Sequence, residues 1–224
     1  MQNVTESVNL NERINEFVQK NRKIIFISLG LIVLILVGTV ASISLIEVFQ
    51  KKAISEVEEL NRRYEVLRFN IAEESVAGDV ETLLSDLNAL AKKTSGYVGG
   101  KAWSIAASIH SDKKQWPEAE SAWLDAAKTA SKTYLAPLAY YNAAAAAEEQ
   151  GKTPEAIELY TQSANHPASF PAAAHAQFSV GRLNEVLNNR DAALEAYRSL
   201  ITKWPNDTTW INLAHSRIIT LETK

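Results

Sequence analysis

Three similar hexapeptides recur in the second half of the chain at a constant spacing. Each places an alanine four residues before an aromatic residue, and successive copies begin 37 residues apart. They read EAESAW at Glu118–Trp123, EAIELY at Glu155–Tyr160 and AALEAY at Ala192–Tyr197. Self-similarity at a fixed period of about 20 to 50 residues is typical of proteins built from stacked supersecondary units. The spacing therefore predicts an array of three repeats.

The residues before each hexapeptide predict a first helix that packs closely on a second. In YYNAAAAAEEQGKTPEAIELY (Tyr140–Tyr160) five alanines, the best helix formers, precede a turn. Because methyl groups bury little area, we expect these alanines to let the second helix approach, with Leu159 and Tyr160 supplying the bulk. Pro117 and Pro154 stand where a helix accepts proline, in its first turn. The small residues at the centres of the first helices are Ala106 and Ala107, Ala143 and Ala144, and Val180 and Gly181.

This helix-turn-helix pattern resembles the tetratricopeptide repeat, whose typical period is about 34 residues. The resemblance implies an all-α helical solenoid, with the extra residues in the connections between units. Gln177 departs from the family pattern, as do His110 and Asn184, where the family prefers tyrosine. The matching positions are Trp103 and Tyr140 for the large residue, Ala107, Ala144 and Gly181 for the small one, Ala119, Ala156 and Ala193 for the alanine, Trp123, Tyr160 and Tyr197 for the aromatic, and Pro205 for the terminal proline.

An uncharged apolar run near the start predicts a membrane anchor. Residues 24–46 could extend roughly 34 Å as a helix, enough for a bilayer core of about 30 Å. A cleaved signal peptide is the alternative, with Ala41, Ser42 and Ser44 as small residues, but the run and its acidic leader are long for one. Gly38 and Ser42 form a pair through which two such helices could pack, or are simply tolerated facing lipid. The flanking lysines and arginines slightly favour a cytoplasmic N-terminus.

Apolar spacing divides the rest of the chain into further helices. The set Val57, Leu60, Tyr64, Leu67 and Ile71 predicts a helix that packs on the domain, which Gly78 and Asp79 break. A second helix carries Val80, Leu83, Leu84, Leu87 and Leu90, and SGYVGG (Ser95–Gly100) is predicted to be a flexible connection. A last helix over Thr208–Leu221, with Trp210, Leu213, Ala214, Ile218 and Leu221, covers the open end of the array. The predicted organisation is an N-terminus at 1–23, a transmembrane helix at 24–46, a membrane-proximal helical pair at 47–97, three repeats at 98–205 and a cap at 206–224.

Composition and motifs give no indication of catalysis, metal binding or nucleic-acid binding. The formal net charge of -3 gives no reason to expect nucleic acid, and the absence of cysteine excludes disulfides and thiolate sites. The four histidines have no metal-site spacing, and Glu148 with Glu149 is best explained as a solvated helix end. We therefore expect no catalytic residue, no cofactor and no metal, and a protein that is not an enzyme.

Binding is the function that remains. The resemblance assigns the concave face to the first helices, and we expect Tyr141, Phe178 and Arg182 to bind a partner because aromatics and arginine dominate hot spots. The alternative is that they pack against the C-terminal helix or the preceding turn. The chaperone-docking members of the family hold a partner's terminal carboxylate with lysine, asparagine and arginine side chains. Of that set, only Lys101 and Asn142 have counterparts here. The groove positions are Lys101, Ser104, Ser108, Leu138, Tyr141, Ala145, His175, Phe178, Arg182 and Glu185.

The layout of the whole chain is similar to a more specific family. FVQKNRK (Phe17–Lys23) before one membrane helix, and then SGYVGGKAWSIAASIHSDKKQWPEAESAWLDAA (Ser95–Ala127), resemble the ancillary subunit of the bacterial SecYEG translocon. That resemblance implies a single-pass protein of the bacterial inner membrane whose periplasmic repeats contact the translocon or periplasmic chaperones. Two alternatives stay open, namely a scaffold of a flagellar, division or outer-membrane assembly machine, and an adaptor that faces the cytoplasm. A homo-oligomer is compatible with each.

Overall fold

A computed structural model describes residues 2–71 and 73–223, and within them the side chains other than those of residues 2–9, 11, 40, 41, 43 and 44. The described elements are all helical, as predicted, with two short 3-10 helices at Arg68–Asn70 and Glu74–Val76. The α-helices are α1 (Gln2–Leu67), α2 (Ala77–Lys93), α3 (Gly96–Asp112), α4 (Trp116–Thr129), α5 (Leu135–Glu149), α6 (Thr153–Ala164), α7 (Ala173–Val186), α8 (Arg190–Lys203) and α9 (Thr208–Glu222).

The chain divides into two compact units, of which the first ends at Lys52. Its helix is long and apolar enough over Glu12–Thr39 to cross a membrane, and the large apolar side chains of that stretch are exposed apart from Ile25. The predicted span at 24–46 extends beyond this stretch. The small residues Ala41 and Ser44 lie outside the side chains that the structure describes.

The second unit begins at Ala53, and its first core lies among the end of α1, α2 and α3. The predicted stripe of α1 is confirmed, because Val57, Leu60 and Tyr64 are buried there. The hydroxyl of Tyr64 also donates a hydrogen bond to Asp112 Oδ2 at 2.7 Å, which fixes α1 to the end of α3. The predicted set on α2 packs in the same cluster.

The break after α1 falls earlier than predicted. The helix ends at Leu67, and Gly78 and Asp79 lie inside the first turn of α2. A carboxylate in the first turn interacts favourably with the helix dipole, so Asp79 stabilises a helix start where it was expected to end one.

The prediction of a flexible connection at Ser95–Gly100 is wrong. Helix α3 begins at Gly96, and Gly99 and Gly100 are buried in its first turns. A Cβ on Gly100 would lie 2.3 Å from the Cβ of Ala130, and one on Gly99 would lie 2.5 Å from the carbonyl oxygen of Thr94. These glycines are therefore contact residues that let α3 approach its neighbours.

The three repeats are the helix pairs α3 with α4, α5 with α6, and α7 with α8. The prediction for the alanine run is confirmed, because Ala143, Ala144 and Ala147 are wholly buried in one cluster with Leu159 and Tyr160. Gly181 has the same role in the third repeat, where a Cβ would lie 2.5 Å from Cε1 of Tyr197. Small residues on the first helix thus make room for an aromatic ring on the second.

The turns inside the repeats share a left-handed residue. Lys114, Gly151 and Asn188 have φ angles of 56°, 72° and 58° and stand at equivalent positions in successive repeats. The residue that follows each donates its backbone N–H to a carbonyl in the last turn of the first helix, at 2.8 to 3.0 Å. A left-handed residue with this bond is the usual C-terminal cap of a helix.

Helix α9 packs on α7 and α8, as the predicted cap should. Ala214 is wholly buried, and Trp210, Ile218 and Leu221 are partly buried against Tyr197 and Leu200. Leu213, predicted to belong to this face, is 43% exposed. The reason is geometric, because its helix position points away from the face on which Ala214 lies.

Candidate functional site

The predicted groove positions on α5 and α7 surround a cluster of aromatic side chains. The hydroxyl oxygen of Tyr141 lies 2.8 Å from Nδ1 of His175, which joins the second repeat to the third. The Tyr141 ring also meets the ring of Tyr160 edge-on, with centroids 5.2 Å apart, and lies 5.8 Å from the ring of Phe170. Phe170 comes from the connection between α6 and α7 and was not predicted to belong to the groove.

Trp210, at the start of α9, completes this cluster. Its indole is stacked on the imidazole of His175, with centroids 4.1 Å apart and planes 11° apart. It also lies 5.2 Å from the ring of Phe178, which in turn is 5.3 Å from Tyr197. The rings of Tyr141 and Phe178 are thus linked through His175 and Trp210.

Phe178 therefore contacts the C-terminal helix, which is the packing alternative raised from the sequence. Its side chain and those of Tyr141 and His175 are nonetheless half-buried, so part of each ring remains accessible. Trp210 was predicted as a cap residue only. An aromatic residue in the first turn of the covering helix was the one available signal that the cap also contacts predicted groove residues.

Burial shifts the pKa values of two predicted groove residues, His175 and Tyr141. It lowers the pKa of His175, with the nearby Arg182 guanidinium as a second cause, so the imidazole is neutral at neutral pH. Burial also raises the pKa of Tyr141. At neutral pH the rings of Tyr141 and His175 are therefore uncharged.

Two ion pairs flank the aromatic cluster. The guanidinium of Arg182 donates from both Nη atoms to the carboxylate of Glu148, at 2.8 and 2.7 Å. The hydrogen bonds from Arg182 tie α7 to α5, and Glu148 is not the solvated helix end that the sequence indicated. Such a forked pair has defined geometry and raises the pKa of Arg182.

Glu185 takes part in the second pair. Its carboxylate accepts a hydrogen bond from the Tyr197 hydroxyl at 2.6 Å and from Nε of Arg217 at 2.9 Å. The predicted groove residue therefore joins α7, α8 and α9 at the end of the array.

The remaining groove positions are less elaborate. Ser104 and Ser108 on α3 donate their hydroxyls to carbonyls of their own helix, Gly100 at 2.8 Å and Ser104 at 2.9 Å. Lys101 is half-buried, and among the described side chains it forms no ion pair. Leu138 and Ala145 are half-buried on α5.

Comparison with known proteins agrees with this architecture. The family "Tetratricopeptide repeat" matches residues 107–169 and 163–208. A TPR repeat-containing protein of Treponema pallidum (strain Nichols) is 32% identical, over 93% of this chain and 93% of its own. Two crystal structures of nearly identical TPR-like repeats from Podosopora anserina align with TM-scores of 0.48 and 0.47 at 14% and 16% identity, covering 68% and 67% of this chain and 77% of each of theirs.

Tetratricopeptide repeats generally mediate contacts between proteins, and the predicted groove positions lie on the first helices of consecutive repeats. The family match to the repeats and the relative that is similar along nearly the whole chain lead to the same assignment. The chain belongs to the tetratricopeptide repeat family.

Proposed function

We propose that this protein is a membrane-anchored scaffold whose repeats hold a segment of another polypeptide on the periplasmic side of a bacterial inner membrane. The observation that carries the proposal is the half-buried aromatic surface of Tyr141, His175 and Phe178 on successive first helices. Aromatic side chains supply large contact areas, which is why they dominate protein-binding hot spots.

The chemistry of this surface favours an apolar or aromatic segment of a partner. Because burial keeps His175 neutral, the aromatic surface formed with Tyr141 and Phe178 carries no net charge. The nearby cation Arg182 is already bound to Glu148, so a partner carboxylate would have to compete with that pair. Binding of a partner by Arg182, as predicted from the sequence, therefore requires exchange of the Glu148 pair.

The anchor and its surroundings support the location. The exposed apolar helix over Glu12–Thr39 has the length and composition of a span. Lys20, Arg22 and Lys23 precede the apolar run, and Lys51 and Lys52 follow it, a slight bias toward an N-terminus in the cytoplasm. A place beside the protein-export translocon, handling exported chains or their chaperones, follows from the resemblance of the whole layout.

Orientation is tested by fusing alkaline phosphatase to the C-terminus. The enzyme folds outside the cytoplasm, so we expect an active fusion. A stable but inactive fusion would place the repeats in the cytoplasm and favour the adaptor alternative.

The groove is tested by placing a photoreactive amino acid at Leu138, a half-buried groove position on α5, in the full chain in its native membranes. The control position is Thr161, which is exposed on α6 of the same repeat. We expect Leu138 but not Thr161 to cross-link to a translocon subunit, a chaperone or an exporting chain. Cross-links to flagellar, division or outer-membrane assembly subunits would favour the other envelope machines. Equal cross-linking from both positions would contradict the groove.

A further inference from the structure

An apolar stripe lies on α1 ahead of the candidate membrane span. Leu10, Ile14 and Phe17 are 60%, 54% and 63% exposed, although their side chains are large and apolar. The helix positions between them carry Asn11, Glu12, Arg13, Asn15 and Glu16, and Phe17 is followed by the exposed Val18 and then by Gln19. This segment is therefore amphipathic, and its apolar face is without cover in its own unit.

The stripe has the spacing of a coiled-coil seam. Steps of four and three residues lead from Leu10 to Ile14, Phe17 and Asn21, and then into the apolar run at Ile24. A 3.5-residue average spacing keeps one face of a helix against a partner helix. The same steps continue through Ser28, Leu31, Ile35, Gly38 and Ser42.

Given the membrane crossing proposed above, this chain cannot cover the stripe itself. If residues 24–46 cross the bilayer, the repeats and residues 10–21 are in different compartments. The bilayer surface is also a poor cover. Helix α1 is unbroken through this region, and the sequence from residue 10 to residue 29 contains neither glycine nor proline at which it would bend into the membrane plane.

The residues of the seam identify the partner that fits. In heptad notation the a positions are Ile14, Asn21, Ser28, Ile35 and Ser42, and the d positions are Leu10, Phe17, Ile24, Leu31 and Gly38, so isoleucine at a stands beside leucine at d in two heptads. β-branched residues at a with leucine at d favour two parallel strands, and a single asparagine at a fixes their register. Ahead of the span, the outer face of residues 10–21 is polar apart from Val18, so one partner helix per chain covers the apolar face there.

We propose that this seam, from Leu10 to Ser42, pairs in parallel and in register with the same seam of a second copy of this chain. Asn21 then meets Asn21 of the second copy. Farther along, a Cβ on Gly38 would meet no atom within 4 Å, so the surface there is open to a close neighbour. The Ser42 hydroxyl donates to the Gly38 carbonyl oxygen at 2.8 Å, which satisfies its polar group within the helix.

The absence of cysteine makes disulfide scanning a direct test. Phe17→Cys places a thiol on the seam, and Gln19→Cys places one on the outer face as a matched control. Each variant is expressed as the full chain with two different tags, and isolated membranes are treated with copper phenanthroline and oxygen. Because a disulfide needs Cα atoms within about 7 Å, we expect at least about five-fold more doubly tagged dimer from Phe17→Cys than from Gln19→Cys.

Alkaline carbonate washing of the same membranes separates the possible failures. If the chain is extracted, the proposed anchor and the paired seam are both wrong. If the chain resists extraction but both thiols cross-link equally, or Phe17→Cys cross-links only to a different protein, the anchor stands and the paired seam is wrong.

Asn21→Leu gives a second readout that does not depend on a thiol on the seam. Removing the asparagine should relax the register and the number of strands, so lysine-reactive cross-linking in mild detergent should give a mixture of dimers and larger species in place of dimers alone. An unchanged monomer in both the parent chain and the variant would overturn the inference.

Discussion

The indole of Trp210 lies flat on the imidazole of His175, with ring centroids 4.1 Å apart and ring planes 11° apart. Because Trp210 lies in the first turn of α9 and His175 in the first turn of α7, this stack attaches the cap helix to a residue of the predicted groove. Changes to the cap should therefore alter the groove as well as the stability of the array.

Replacing Trp210 by alanine should lower the free energy of unfolding by about 1 to 3 kcal/mol, because a large, partly buried side chain is removed. It should also expose His175 and Phe178. Chemical denaturation of the full chain in mild detergent, followed by circular dichroism, measures the loss. Trp210→Phe is the matched control, since it keeps a ring against His175, and should lose clearly less. Equal losses from both variants would mean that the stack contributes little.

The neutral His175 should make stability depend on pH. Burial, with Arg182 as the second cause, lowers its pKa below the ordinary 6.5, so the unfolded chain binds a proton at a higher pH than the folded one. Its contribution is therefore complete above pH 6.5 and is lost as the pH falls through the folded pKa. Melting temperatures measured from pH 7.5 downward should show this decline, and His175→Phe should reduce it. The same slope in the variant would assign the effect to other groups.

The left-handed turn residues predict opposite effects for two substitutions at equivalent positions. Lys114 has a φ of 56°, which costs a residue with a side chain roughly 1 kcal/mol that glycine does not pay. Lys114→Gly should therefore stabilise the first repeat, whereas Gly151→Ala should destabilise the second by a similar amount. Denaturation midpoints of the two variants give the comparison. A stability loss from Lys114→Gly would show that the side chain of Lys114 contributes more than its backbone strain costs.

The repeats were predictable because their signal is local and periodic. The alanine of each hexapeptide, the aromatic four residues later and the small residue in the preceding helix are all set by one helix packing on its neighbour. Ala144 and Tyr160 are buried together for that reason. The same local reasoning located the cap helix, whose start at Thr208 agrees with the structure.

What the sequence did not disclose depends on contacts between distant segments. Gly99 and Gly100 have the composition of a loop, and only the proximity of Thr94 and Ala130 explains their place in a helix. Glu148 looks like a solvated residue until α7 brings Arg182 to it, 34 positions later in the chain. Likewise, no spacing rule connects Trp210 with His175.

Two glycine-to-alanine substitutions should separate close packing from helix propensity. In Gly181→Ala the new methyl group would lie 2.5 Å from the wholly buried Tyr197 ring, and we expect a loss of about 1 to 3 kcal/mol from overpacking. Gly78 lies in the first turn of α2 with no atom within 4 Å of an added Cβ, so Gly78→Ala should stabilise by about 0.4 to 1 kcal/mol. Thermal melting of both variants tests the pair. A destabilised Gly78→Ala or a neutral Gly181→Ala would contradict the packing described here.

Mutating Arg182 and Glu148 one at a time separates the effect of their ion pair on stability from its effect on partner binding. Both side chains are partly exposed, so a double-mutant cycle with Arg182→Gln and Glu148→Gln should give a coupling of only about 0.5 to 1 kcal/mol, decreasing with added salt. The variants are expressed as full chains that carry the photoreactive residue at Leu138, and cross-linking to the partner is measured beside stability.

If Arg182 orients a carboxylate or carbonyl of the partner, Glu148→Gln releases its guanidinium, and partner capture should increase even though stability falls slightly. Arg182→Gln should then reduce capture. If the pair only joins α5 to α7, the two variants should change stability alike and leave capture unchanged, because each removes the same contact. We expect the first result, since a forked guanidinium beside the half-buried Tyr141 and His175 is suited to polar groups of a bound chain.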